Sequence, residues 1–324
     1  MWLLGLATGT MAVMRSSGTL LCLASGAAFG AMAVFGKLAY GEGATAGTLL
    51  AVRFTLAAAL FWLLLAARGG VGGLARRDVA AGLALGAAGY ALQAGLFFAA
   101  LERTDASLLS LLVHTFPAMV AAAAVTLGRE RLDAGRAAAL VLSSAGLVLV
   151  VAGAGAGAFD PLGVALGLGA AVVYSAYILV SDGVAARVPA QALAALVCTG
   201  AAVSLTVSTA ALGALRPGAL TAAGWGWLAA LAVVSTVGAI GLFFAGLRRA
   251  GPTAASILST VEPLVTVLLA ALVFGERLAP AQLAGGALVL AAVLALRAPL
   301  SAARRRPARA RPSTPACPSP SRSR

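Results

Sequence analysis

Long apolar runs, broken at regular intervals by short polar or basic connections, dominate the chain. They fall at 18–37, 46–66, 79–100, 106–127, 134–153, 161–181, 190–212, 222–246, 253–274 and 280–297. Each is about 20 residues long, enough for an α-helix to cross about 30 Å of hydrocarbon, and none alternates strictly as a barrel strand does. The pattern predicts an all-α polytopic membrane protein of ten transmembrane helices.

The runs come in two matching sets of five. Residues 95–132 align without a gap on 241–278: Phe97 and Phe98 fall on Phe243 and Phe244, Ser110 on Ser256, Pro117 on Pro263, and Glu130-Arg131-Leu132 on Glu276-Arg277-Leu278, all at a constant offset of 146 residues. Such self-similarity marks one unit used twice. The expected organisation is therefore an N-terminal extension (1–17), a first five-helix repeat (18–153), a second (161–297) and a tail (298–324).

Charge orients these spans. With the N-terminus inside, 18 basic residues, including the 8 between Arg297 and Arg324, fall on the cytoplasmic side; Lys37, Arg103, Arg216 and Arg277 fall outside, and Arg53 lies within a span. Positive charge favours the cytoplasmic side, so both termini are expected there. Five helices is an odd number, so the second repeat enters from the opposite face and the two are inverted. Inverted repeats are a common construction of secondary transporters, because two related halves can open a midplane site to either side in turn.

Composition narrows the class further. Only 10% of residues are charged and the mean hydropathy is +1.00, against about 25% charged in a soluble domain. The net charge of +13 would suggest nucleic acid in a soluble protein, but here it resides in short loops and the tail, so no nucleic-acid role is expected. The tail, rich in Arg, Pro and Ser, reads as disordered, with arginines suited to anionic lipid headgroups. The first fourteen residues read as an over-extended start; a signal peptide is the competing reading, weakened by the lack of a basic opening. Three scattered cysteines and one histidine give no disulfide framework and no metal spacing, and no phosphate-binding loop suggests ATP as the drive. No cofactor is expected.

Polar residues inside the spans are the candidates for chemistry. Glu262, beside Pro263, is the sharpest, since a carboxylate at mid-bilayer is costly unless it faces protein, water or a partner. In a low-dielectric setting a carboxyl favours its protonated form, which suits a group that takes up and releases a proton; a purely structural hydrogen bond is the alternative. His114, whose ring titrates near neutrality, forms a stripe with Ser107 and Ser110, and the repeat returns Thr253, Ser256 and Thr260. Ser259, Glu262 and Thr266 make a second line on another face of the ninth span. Pro117 and Pro263 free the carbonyls of Val113 and Ser259. Arg53 is either an anion site or a tie to backbone carbonyls. Tyr90, Gln93 and Phe97 share one face of the third span, and Tyr174, Tyr177 and Ser181 one of the sixth; both faces could wall a cavity. The Glu130-Arg131 and Glu276-Arg277 clips read as structural caps, and Gly26/Gly30, Gly82/Gly86 and Gly163/Gly167 as close helix contacts.

Two five-helix units with a proline in the fourth helix, a Gly-(x)-Glu-Arg-Leu ending and Arg53-Phe54 in the second helix resemble the EamA-type branch of the drug/metabolite transporter superfamily over about 18–297. The resemblance implies a bacterial inner-membrane exporter of amino-acid-like metabolites or drugs, with a central cavity walled by both repeats. The first repeat departs from the second in one respect: the position matching Glu262 is Phe116, so the acid is unshared. The resulting expectation is a secondary carrier of a small polar or amphipathic molecule, exported in exchange for protons, as a monomer or homodimer; a transporter-like scaffold or sensor, and a membrane-embedded enzyme, are the alternatives.

Overall fold

The structure is a computed structural model that describes residues 17–70, 72–128, 134–153, 160–250, 258 and 261–297. The N-terminal extension, the tail, Glu130 and Arg131 of the first clip, and Thr253, Ser256, Ser259 and Thr260 lie outside them. Among the described residues every regular element is helical. In chain order these are α1 (Ser17–Gly41), α2 (Ala46–Ala67), α3 (Arg76–Leu101), α4 (Ala106–Thr126), α5 (Ala134–Ala152), α6 (Pro161–Ala185), α7 (Ala190–Ala211), α8 (Ala222–Arg249), α9 (Val261–Phe274) and α10 (Pro280–Arg297). Seven of them, α1 to α4 and α6 to α8, are long and apolar enough to cross a membrane, whereas the apolar stretches described in α5, α9 and α10 are shorter: Ala137–Ala152, Val261–Phe274 and Pro280–Ala292.

The helix starts follow local chemistry. The Thr45 hydroxyl accepts the Thr48 amide at the head of α2, and Thr221 accepts the Gly224 amide at the head of α8. Asp160 accepts the amides of Leu162 and Gly163 at 2.8 and 3.1 Å, with Pro161 at the first helical position, where its missing N–H costs nothing.

Two features depart from ideal helices. Both α3 and α8 contain a π-helical turn, Leu85–Tyr90 and Val233–Gly238, at nearly matching places in the two repeats. Beside Pro117, expected to free one carbonyl, α4 is broken: the α-helix stops at Val113 and restarts at Phe116. Pro117 thereby sits in a first turn, where no amide is required, and the Thr115 hydroxyl donates to the Leu112 carbonyl at 2.7 Å.

Helix pairing is reciprocal between the repeats. Helix α2 packs along α7, α4 against α9 and α5 along α10, while α1 packs on α8 and α3 on α6; exchanging the two sets of five leaves this scheme unchanged. Phe54, Phe98, Leu228 and Leu231 are fully buried in the main core. Outward-facing Leu63, Val148, Val207 and Leu272 are exposed, as lipid-facing positions are.

The sequence-marked glycine pairs lie at crossings. A Cβ on Gly26 would run into Val261, and one on Gly30 would come within 2.7 Å of the Glu262 carbonyl, so these two glycines let α1 approach α9 where Glu262 stands. Gly82 and Gly86 face Leu196 and Val197 of α7, and Gly163 and Gly167 face Thr104 and Leu109.

Candidate functional site

A cavity of about 380 Å³ opens among α1, α3, α4, α6, α8 and α9, near the lower end of the about 300–1,000 Å³ typical of small-molecule sites. Its described wall is Ser25, Gly26, Phe29, Met32 and Ala33 from α1; Tyr90, Gln93 and Phe97 from α3; Ser110, Val113, His114, Phe116 and Pro117 from α4; Tyr174 from α6; Phe243 from α8; and Glu262 and Thr266 from α9. The break in α4 brings both Val113-His114 and Phe116-Pro117 to the wall. Two pairs of repeat-related positions, Phe97/Phe243 and Phe116/Glu262, meet in this one space.

Glu262 and Thr266 of α9 both meet the cavity. The Thr266 hydroxyl donates to the Gly30 carbonyl at 2.9 Å, which binds α9 to α1 and sets the height of Glu262. The Glu262 carboxylate makes no hydrogen bond or ion pair with any described residue. The His114 Nδ1 lies 2.8 Å from the Ser110 carbonyl, an arrangement that requires a proton on Nδ1. Phe116 meets Tyr174 edge-on at 4.7 Å and His114 at 6.3 Å between ring centres. Tyr177, expected on the wall, stands behind it, 5.6 Å from the Tyr90 ring and stacked 6.3 Å from Tyr174. Ser181 turns back to the Ile178 carbonyl.

Arg53 is buried beside the cavity rather than on it. Its Nε donates to the Thr236 hydroxyl at 3.0 Å, and Thr236 in turn donates to the Leu231 carbonyl five residues back, across the π turn of α8. The guanidinium lies over Phe54 and Phe98 at 5.0 and 5.5 Å from the ring centres, a cation–π arrangement. Arg53 thus ties α2 to α8 through the Thr236 hydroxyl and to α3 through the Phe98 ring, where the sequence suggested backbone carbonyls.

Ser107, expected beside Ser110 and His114, belongs to a different structure. The Glu276 carboxylate accepts from Lys37 Nζ at 2.8 Å, from the amides of Ala106 and Ser107 at 3.1 and 3.0 Å, and from the Ser107 hydroxyl at 2.7 Å. Asp105, at the head of α4, caps nothing with its side chain and lies 3.6 Å from Lys37. The acid of the second clip therefore caps the N-terminus of α4, where a negative charge is favourable, and pairs with Lys37 near the C-terminal end of α1. Burial pushes the Glu276 carboxyl up, but the Lys37 and Ser107 hydrogen bonds outweigh this and hold it below the usual carboxylate range. Arg277 is exposed, while Leu278 packs with Leu108 and Leu111. This latch closes α1, α4 and α9 about one turn beyond Ala33 and Ser110 of the wall.

Polar contacts sort the connections to two ends. Glu42 meets Thr221, the Thr45 hydroxyl donates to the Ala214 carbonyl, and Arg103 pairs with Asp160, all at the end that carries the latch. Asp78 pairs with Arg187, and Arg68 with Gln191, at the other.

Sequence reasoning missed Ser25, Phe29, Met32, Lys37 and Thr236. Ser235-Thr236 in an otherwise apolar stretch, and Lys37 at the edge of the first run, were the available signals. Among the described residues no three His, Cys, Asp or Glu side chains gather in a way that could hold a metal.

Seven membrane-length helices among the described residues, and a cavity with a carboxylate on its wall, mark a multi-span membrane protein. The chain belongs to the EamA-like transporter family, which matches it twice, over residues 16–152 and 161–298. It is similar to the "Uncharacterized transporter YcbK" of Bacillus subtilis (strain 168), 27% identical over 285 residues that span 83% of this chain and 89% of that one. It is also similar to an "Uncharacterized transporter" of Archaeoglobus fulgidus, 30% identical over 61% of this chain and 69% of that one. A solved crystal structure, 21% identical, matches with a TM-score of 0.60 over 87% of this chain and 96% of its own, a likeness of fold.

Proposed function

We propose that this transporter is a secondary carrier that exports a small polar or amphipathic metabolite, amino-acid-like or drug-like, in exchange for protons. The observation that carries the reading is Glu262: an ionisable group on the wall of the central cavity with no partner among the described residues. An embedded acid without a structural partner is suited to binding a proton or a ligand. His114, on the same wall, is the second titratable group of the pathway; Ser110, Tyr90, Gln93 and Tyr174 supply its polar edges.

Ten spans in two inverted five-helix repeats, with both termini cytoplasmic in a bacterial inner membrane, are part of the same proposal. The reciprocal helix pairing supports the inversion. So does the meeting of the first connection of the second repeat (around Arg187) with the second connection of the first (Arg68 to Asp78). On this reading the latch stands at the extracellular end and joins α1, α4 and α9 there.

The test is counterflow in proteoliposomes. Labelled amino acids, nucleosides or drugs preloaded on one side should exchange through the wild type. Glu262→Gln should abolish uptake driven by a pH gradient while leaving exchange partly intact. An unchanged response to the gradient in that variant removes the coupling role; no counterflow of any compound removes the carrier reading.

A further inference from the structure

The two repeats contribute unlike side chains at matching positions, and both face the same cavity: Phe116 from the first, Glu262 from the second. Their surroundings differ in kind. Phe116 is backed by Tyr174, 4.7 Å away and edge-on, which gives that side an aromatic surface. On the other side the Glu262 carboxylate makes no hydrogen bond or ion pair with any described residue, and no Lys or Arg belongs to the described wall. Arg53, the embedded cation nearby, has its Nε committed to Thr236 and its planar face to Phe54 and Phe98. His114 has Nδ1 turned to a carbonyl.

We infer that the cavity selects small organic cations with an apolar body: the ammonium group pairs with Glu262 and an aromatic or aliphatic portion lies against Phe116 and Tyr174. The inference rests on the carrier reading and narrows its substrate class. A cation supplies the charge that the wall lacks and gains from nearby ring faces. An anionic ligand brings a second negative charge into a poorly solvated space with no Lys or Arg on its described wall to meet it, which is strongly unfavourable.

A series of equal shape and different charge tests this: phenethylamine, 2-phenylethanol and phenylacetate, titrated calorimetrically into the full chain in detergent at mildly alkaline pH. Phenethylamine should bind about tenfold or more tightly than the alcohol, the factor expected of a charge-assisted contact, and phenylacetate more weakly than either. Glu262→Gln should reduce the amine to the level of the alcohol and leave the alcohol unchanged, which also shows that the variant is folded. Phe116→Ala should weaken amine and alcohol together. Equal binding of amine and alcohol by the wild type, preference for phenylacetate, binding of none of the three, or undiminished amine binding by Glu262→Gln overturns the inference. Counterflow of the same compounds separates the two readings. An amine that binds as expected but is not moved argues against the carrier alone; an acid that binds best and is moved argues against the cation site alone.

Discussion

Two neighbouring hydroxyls in the π turn of α8 have opposite circumstances. Thr236 is the hydrogen-bond acceptor for the buried Arg53 Nε, whereas the Ser235 hydroxyl is buried and, among the described residues, meets no partner. Thr236→Val should therefore lower stability in detergent by about 1.5–3 kcal/mol, the worth of a hydrogen bond to a charged group, and Ser235→Ala should raise it by about 1 kcal/mol by removing an unsatisfied polar atom; thermal melts of the two variants measure the difference in sign. Glu276 gives a pH dependence. Its carboxyl is held lower in the folded protein than in the unfolded chain, so the latch contributes fully above the ordinary carboxylate pKa and is lost as pH falls through the lowered folded-state value. Melting temperature against pH should fall on that acidic side in the wild type, and the fall should shrink in Glu276→Gln. Glu262 could be singled out in sequence because a carboxylate inside an apolar run is conspicuous. Ser107 could not be assigned correctly, since its spacing to Ser110 and His114 carries no information about a carboxylate 169 residues away in sequence.

At the scale of elements, the seven membrane-length helices were legible because helices in hydrocarbon must satisfy their own backbone and so declare themselves by length and hydropathy. The π turns were not: one extra residue per turn leaves the apolar pattern almost intact, and such bulges cluster at functional sites. Here each does a distinct task, placing Tyr90 on the cavity wall in α3 and Thr236 under Arg53 in α8. The break in α4 was half legible; Pro117 announced a disturbance, but whether it bends or interrupts depends on Thr115 capturing the Leu112 carbonyl. The contact of α1 with α9 is the element-level feature most exposed to mutation. In Gly30→Ala the new methyl meets the Glu262 carbonyl at 2.7 Å and Val265 Cβ at 3.0 Å, so α9 must move. The expected cost is about 1–3 kcal/mol of stability, together with slower counterflow because Glu262 shifts with its backbone; wild-type melting and exchange rates in Gly30→Ala contradict this.

For the whole molecule, the internal duplication was visible in the sequence as a constant offset, and the reciprocal pairing of helices is its three-dimensional counterpart. The proposed inversion yields a direct expectation: single cysteines introduced at Arg129 and Glu276, on a background with Cys22, Cys198 and Cys317 replaced, should be labelled by an impermeant reagent from opposite sides of the membrane. Labelling of both from one side contradicts the inverted arrangement. The sequence could not reveal how closely the repeats approach each other, because that depends on backbones rather than on side-chain pattern. Helices α5 and α10, remote from the cavity, meet through Gly146 and Gly285, where a Cβ on either would stand 2.6 or 2.5 Å from the carbonyl oxygen of the other. Val289 flanks Gly146, and Leu149 and Val150 flank Gly285, so backbone meets backbone here with side chains keyed on either side. The seam is a keyed joint: it fixes how near α5 and α10 can stand, and one methyl group on either glycine is enough to wedge it open.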